Sequence, residues 1–458
     1  MRLVILSFIL AILAGSVSAQ EKFTLDEAIK AALEHNHSVQ ISDISADIAE
    51  NSVSRGNAGQ LPNLAITGGA SAAYSDLDVT PGSFFQNLLN PQGSNQQGSP
   101  PTISYDGVTT TQFNSQIGTQ MVIYDGMKGR LRYKLLETGS DLADLQYRTE
   151  LENTILNITQ KFINVASLQK AIEVKEVSLE QSNDRYRTIE TRREYGQVNE
   201  QQLLQALADL KSDSTAFRNL KLQYENAYRD LHTDIGWDQR EMDPVADEFA
   251  GAELPGYEDF LSMMMENNSL LNIREKRLEQ AELNERMTKA GFLPSLTASA
   301  GYGYSYMNAT EGQFETQEQL GFTGGLSLKI PIFSGGRNRI ESQNAKERSR
   351  QEELRKEESA MQLQTRFENS WQQYLHLEDQ LETERSNRAV YERNYERAEE
   401  MFSRGEITGV ELRAAQLSLE NARLRVSETG FQLKQTETLA SRASMNSEKP
   451  SSSISNIT

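Results

Sequence analysis

The sequence predicts an α+β membrane protein built from a duplicated unit, in which a strand hairpin is followed by a very long helix and a return helix. Three observations carry this. Short motifs recur at a fixed offset in the two halves of the 458-residue chain. Four runs of about 11 residues alternate at period two. Two stretches of roughly 65 residues place apolar side chains in alternating steps of three and four.

The repeat sets the order of elements. Leu61-Pro62-Asn63-Leu64 recurs as Leu293-Pro294-Ser295-Leu296, Ile123-Tyr124-Asp125-Gly126 as Ile332-Phe333-Ser334-Gly335, and Tyr195-Gly196-Gln197-Val198 as Arg404-Gly405-Glu406-Ile407. Gly126 and Gly335 are 209 residues apart, as are Gly196 and Gly405, whereas Pro62 and Pro294 are 232 apart. The first half therefore carries 23 extra residues between its Pro and its Gly. The turn-rich stretch Pro81 to Gly107 accommodates them as a long loop.

The chain opens with Arg2, a short apolar run Leu3 to Leu13 and small residues Val17-Ser18-Ala19. This reads as a signal peptide over 1–19. No other segment approaches the ~18 consecutive apolar residues of a spanning helix, so the exported chain enters a membrane, if at all, as strands. The absence of Cys excludes a disulfide scaffold, a thiol nucleophile and a lipid-anchored N-terminal Cys. With 65 acidic against 46 basic residues the net charge is −19, which repels nucleic acid and removes it from the partners. The hydrophobic fraction of 37% is low for a compact globule and suits long helices that bury one stripe.

The first repeat spans 20–236. It begins with a helix interrupted near Asn36-His37, whose start carries the capping-box pair Thr24 and Glu27. Strands follow at about 64–75 and 113–124, then the long helix at about 128–192, the turn at Gly196 and a return helix at about 197–232. An acidic, Pro-containing linker covers 237–256 and is expected around the equator of the assembly. The second repeat, 257–443, is interrupted near Asn267-Asn268, with strands at about 296–306 and 321–332, the long helix at about 337–403 and the return helix at about 408–440. The tail 444–458, rich in Ser and Asn, is expected to be disordered.

One strand face carries Leu64, Ile66, Ala70, Ala72 and Tyr74, and likewise Phe113, Ile117, Met121 and Ile123. In the second half it carries Leu296, Tyr302, Tyr304 and Tyr306, then Phe322, Leu326, Leu328, Ile330 and Ile332. The opposite faces are read as small or polar, with Thr67, Ser71, Ser115, Thr119, Thr297, Ser299, Thr323, Ser327 and Lys329. About 11 residues is the length that crosses a bilayer at a tilt, and the tyrosines at one end suit an interfacial belt. The helix stripes are Leu151, Ile155, Ile158, Phe162, Val165, Leu168, Ile172 and Leu363, Phe367, Trp371, Tyr374, Leu377, Leu381. A helix of roughly 65 residues is ~100 Å long, more than any compact domain needs. Four strands cannot close a barrel, and open edges in hydrocarbon leave backbone groups unpaired at several kcal/mol each. Two chains give eight strands and an interior filled by side chains; three give twelve and leave a lumen.

These features together resemble the TolC outer-membrane efflux family, from about Phe23 to Ser441. The carriers are the doubled strand-hairpin and long-helix unit, the Leu-Pro-x-Leu entry to a strand, and the Phe402-Ser403-Arg404-Gly405-Glu406-Ile407-Thr408-Gly409-Val410-Glu411-Leu412 run. The resemblance implies a homotrimer forming a 12-stranded β-barrel continuous with a 12-helix periplasmic α-barrel. It implies a passive channel in the outer membrane, in contact with outer-membrane lipid and extending into the periplasm. Partners would be a periplasmic adaptor and an inner-membrane pump of the RND or ABC type, exporting small molecules, with type I protein secretion as the alternative within the family.

By position the resemblance makes Phe402, Glu411 and Gln202 gate or constriction candidates. Arg193, Tyr195, Gly196, Arg404 and Gly405 become adaptor-docking candidates. Ile407 and Ala414 stand where some members carry Arg and Asp.

No enzyme is expected. His35 and His37 lack a third ligand, Gly301-Tyr302-Gly303 lies in an amphipathic strand, and Met263-Met264-Met265 points three ways on a helix. No catalytic, cofactor or metal set emerges. The reading outside the family is a soluble coiled-coil stalk.

Overall fold

The computed structural model describes residues 22–80, 102–237, 244–246, 255–311 and 315–445. The expected signal peptide, residues 81–101 of the loop, most of the linker and the tail from 446 lie outside the described residues. Mostly helical with one antiparallel sheet, the chain divides into two units. The sheet unit takes 49–141 and 277–352; the helical unit takes the residues up to 48, 142–276 and those from 353 onward.

In the sheet unit, β1 (Asn63–Val79), β2 (Ile103–Tyr124), β3 (Ser295–Ala309) and β4 (Thr316–Lys329) pair in sequence order, all antiparallel. β1 and β4 are the edges. The strands, at 14 to 22 residues, exceed the 11 read from alternation. Part of the excess lies in the expected loop. Ile103, Ser104 and Tyr105 pair with Val79, Asp78 and Leu77 beyond a bulge at Ser75/Leu77, where the Gly107 N–H donates to the Asp76 carboxylate at 2.8 Å. β4 stops at Lys329, short of the predicted 332, because Pro331 has no N–H to give a ladder.

Residues paired across an antiparallel sheet share a face. The register places Ile66, Ile117, Tyr302 and Phe322 together on one face, and Thr67, Gln116, Gly303 and Gly321 on the other. Ser115 and Thr119, read as polar-face residues, sit on the apolar face instead: Ser115 opposes Tyr304 and Thr119 opposes Leu64. Strand alternation forces this, since both are odd-numbered like Phe113 and Ile117. The rows from Asn63 to Ser75 and their partners on the polar face carry no ionisable side chain.

The long helices are α3 (Lys128–Glu194) and α7 (Arg337–Arg404), with return helices α4 (Glu200–Ile235) and α8 (Gly409–Met445). Both long helices start in the same way: Asp125 accepts from the Gly129 N–H at 2.7 Å, and Ser334, 209 residues on, accepts from the Asn338 N–H at 3.4 Å. The shorter helices are α1 (Leu25–His35), α2 (His37–Ser52), α5 (Tyr257–Asn267) and α6 (Ser269–Lys289). Each break falls on an Asn. Asn36 accepts from the N–H groups of Ser38 and Val39 at 2.8 and 3.2 Å, and Asn268 from those of Leu270 and Leu271 at 3.0 and 3.3 Å. The amide side chain ends one helix and starts the next. Thr24 and Glu27 form the reciprocal capping box.

The core of the helical unit packs Ala28 and Ala32 of α1 against Ile158, Phe162 and Val165 of α3 and Leu231 and Ile235 of α4. Val245 closes it, bridging Phe23 and exchanging two hydrogen bonds with the Gln169 amide. Tyr257 and Phe260 of α5 pack on Phe367 and Trp371 of α7. Among the described residues no helix is long and apolar enough to cross a membrane.

Candidate functional site

The two helix-to-helix turns of the helical unit are closed by the same rule. Gly196 and Gly405 are left-handed, with φ of 73° and 80°. Their N–H groups donate to the Arg193 and Phe402 carbonyls, and those of Gln197 and Glu406 to the Arg192 and Met401 carbonyls. Such paired bonds satisfy the last carbonyls of a helix and need a residue without a Cβ penalty. No atom lies within 4 Å of where either Cβ would stand. Gly196→Ala and Gly405→Ala should therefore each cost only the left-handed strain, roughly 1–2 kcal/mol. Urea unfolding followed by helical circular dichroism checks this, and a larger loss would reveal contacts at the turn beyond its backbone.

Each return helix then opens with a capping box. Asn199 accepts from the Gln202 N–H at 2.9 Å while the Gln202 side chain accepts from the Asn199 N–H at 3.1 Å. Thr408 accepts from the Glu411 N–H at 3.3 Å while Glu411 accepts from the Thr408 N–H at 2.8 Å. Gln202 and Glu411 thus hold equivalent places and do the same local work. The Thr408 N–H, and next its hydroxyl, hold the Glu411 carboxyl below the usual carboxylate value, so it is an exposed anion at neutral pH.

Phe402 is buried in a cluster with Ile189, Tyr395, Leu412 and Leu419. The Arg192 guanidinium stands 4.5 Å from its ring centroid and donates to the Phe402 and Ser403 carbonyls at 2.6 and 3.1 Å. Burial raises the neighbouring Tyr395 hydroxyl to about 12, so it stays neutral. A cavity of about 480 Å³ separates the two turns, and Gln202, Phe402, Arg404 and Gly405 line it. Arg193, Tyr195, Gly196 and Glu411 do not. Arg193 pairs with Glu200, Arg404 pairs with Glu400 at 2.5 Å, and Tyr195 is 77% exposed.

Farther from the turns lies a buried ionic layer that the sequence reading did not pick out. Arg413 of α8 grips Asp213 of α4 with both guanidinium nitrogens, at 2.6 and 2.8 Å. Ser182 of α3 donates to the same carboxylate at 2.5 Å, and Lys175 lies 3.2 Å from it. Lys175 also reaches Glu420 at 2.8 Å. Arg185, whose side chain is 2% exposed, donates to Gln416 and pairs with Asp209 at 3.2 Å. Gln416 in turn donates to the Ser178 carbonyl at 2.7 Å. Three cations and three anions thus lie together, tying α3, α4 and α8. Burial pushes the Asp213 carboxyl up, but hydrogen bonds from Arg413 and Ser182 and the charges of Arg413 and Lys175 outweigh it. The group sits below its ordinary value of 3.8. Burial, and next the neighbouring Arg413 charge, lower Arg185 from the usual guanidinium range.

A sequence profile of the family described as outer membrane efflux protein matches residues 28–236 and 260–440. The fold is similar to several solved structures. The Campylobacter jejuni outer membrane channel CmeC superposes with a TM-score of 0.74 at 16% identity, covering 94% of this chain and 87% of that one. The Vibrio cholerae outer membrane protein VceC gives 0.70 at 16% identity, over 92% and 96%. The open state of the Neisseria gonorrhoeae MtrE outer membrane channel gives 0.69 at 18% identity, over 94% and 93%. No curated protein sequence matches this chain.

Proposed function

Since the chain belongs to the outer membrane efflux protein family of TolC-like channels, we propose that it is the passive outer-membrane duct of a tripartite efflux or secretion system, exporting small molecules as a homotrimer. A family of channels argues against catalysis.

One observation carries the reading most directly. On one face the sheet exposes Leu64, Ile66, Phe322 and Leu326, each more than 70% exposed, while on the other face the rows from Asn63 to Ser75 carry no ionisable side chain, and the edge strands β1 and β4 have no further partner among the described residues. In water such a sheet would aggregate through its edges. In a bilayer it is stable only when the edges find partners and the apolar face meets lipid. Three copies closing on a hydrated lumen satisfy both demands. On this reading the polar faces line the lumen and the helical unit extends into the periplasm.

The turns at Gly196 and Gly405 are then the periplasmic end. Exposed Tyr195, with Arg193 and Arg404 beside the two glycines, would form the surface that meets a periplasmic adaptor, which links the duct to an inner-membrane pump. Phe402 is read as the apolar anchor of the constriction. Glu411 supplies its negative charge, repeated three times around the axis, whereas the equivalent Gln202 does not.

The test is single-channel conductance of the purified protein in planar bilayers, with oligomer mass measured in parallel. A trimer with a cation-preferring conductance, and a loss of that preference in Glu411→Gln, is the expected result. A stable monomer without conductance would overturn the reading in favour of a stalk.

A further inference from the structure

The helical unit holds a second recess, remote from the turns and lined by α3, α7 and α8, with a volume of about 850 Å³. Its floor is apolar. Leu381 and Leu433 are buried there and Val426 packs against them. Its rim is cationic, in a chain whose net charge is −19. Among its basic residues, Arg423 is paired with Glu392, Lys170 with Glu173 and Lys434 with Glu437, each at 2.6 Å. Arg385 and Arg388 have no carboxylate within pairing distance among the described residues. They lie three apart on α7, so they share a face, and Leu381 stands one turn below Arg385.

Two further features set this recess apart. The Ser427 hydroxyl, in the lining, is buried and has no hydrogen-bond partner. Gly430, mid-helix in α8, leaves space that the fold does not fill: an added Cβ would meet only a Leu381 methyl, at an ordinary 3.9 Å.

We propose that this recess binds an amphipathic anion, with its alkyl part on Leu381, Val426 and Leu433 and its carboxylate or equivalent head held by Arg385 and Arg388. The volume falls in the range of small-molecule sites. Paired guanidinium groups suit a planar carboxylate, which takes two charge-assisted hydrogen bonds. A cationic amphiphile would meet two unpaired arginines and be rejected. The site does not depend on conduction: a chain that binds but forms no pore would overturn the channel reading and leave this one standing.

The experiment is equilibrium dialysis of radiolabelled decanoate against the full chain in lipid nanodiscs, with decyltrimethylammonium as the cation of equal length. Wild type and variants are measured in the same nanodiscs, so that partition into lipid cancels. Saturable decanoate binding is expected, weakened about tenfold or more in the Arg385→Gln/Arg388→Gln double variant. Gly430→Leu should abolish it by filling the recess, and since Leu is a better helix former than Gly it should not unfold α8. Equal saturable binding of the cation, or decanoate binding unchanged in both variants, would overturn the proposal. An absence of saturable binding would also overturn it, and a smaller oligomer in Arg385→Glu would then assign the recess to a contact between copies of the chain.

Discussion

Replacing Asp213 by Ala is expected to cost about 3–5 kcal/mol, because it leaves charged partners buried without compensation. The Asp213 side chain is 3% exposed and those of Arg413 and Lys175 are 14% and 13% exposed. All its hydrogen-bonding capacity is turned inward, to Arg413, Ser182 and Lys175. The double variant Asp213→Leu/Arg413→Met should lose much less than the sum of its single changes, since removing both partners removes the uncompensated charge. Urea unfolding followed by helical circular dichroism measures all three variants. A single-variant loss under about 1 kcal/mol would mean that water reaches the layer and screens it.

The pH dependence has a definite sign. The folded-state value of Asp213 lies below its ordinary 3.8, so its stabilising contribution is complete at neutral pH and lost as pH falls below 3.8 through the folded value. The gap in stability between wild type and Asp213→Ala should be constant from about pH 5 to 8 and close below ~4.

The second large effect is expected at Gly236, the left-handed residue that ends α4 with φ of 84°. Its N–H donates to the His232 and Thr233 carbonyls. An added Cβ would lie 2.6 Å from the His35 carbonyl oxygen and 2.9 Å from its carbon. Both are backbone atoms at the end of α1, so no side chain can swing aside. Close by, the Asn36 amide donates to the Asp234 carbonyl at 2.6 Å, so displacing α1 would strain that bond too. Left-handed strain and overpacking together predict a loss of roughly 2–5 kcal/mol for Gly236→Ala. The informative comparison is with Gly405→Ala, which shares the positive φ but has open space around it. Equal losses at the two sites would show that α1 yields and that the steric argument fails.

Much of the architecture is legible in the chain because it rests on local rules. Period-two runs announce the four strands, and turn residues at equal offsets announce the duplication, down to Asp125 and Ser334 capping equivalent helix starts. The helix breaks at Asn36 and Asn268 follow from a side chain that competes for its own backbone. The ionic layer also left a trace. The stripe of α3 runs on past Ile172 through Lys175, Ser178, Ser182, Arg185 and Ile189, at steps of three and four. Polar residues on an apolar stripe signal a buried polar layer, but they do not name its partners. Asp213 is 38 residues from Lys175, and Arg413 is 200 from Asp213. Only helix packing selects those pairs.

By itself the sequence determined the elements, their doubling and the two-faced character of the strands, since alternation, capping and turn geometry act over a few residues. Only the tertiary structure decided which charges neutralise one another in the layer that ties α3, α4 and α8. It also decided which left-handed glycine is crowded and which is free, and that Arg385 and Arg388 share a recess with an unpartnered Ser427. Those outcomes depend on distances between segments far apart in the chain, and burial sets their energies, which no local pattern records.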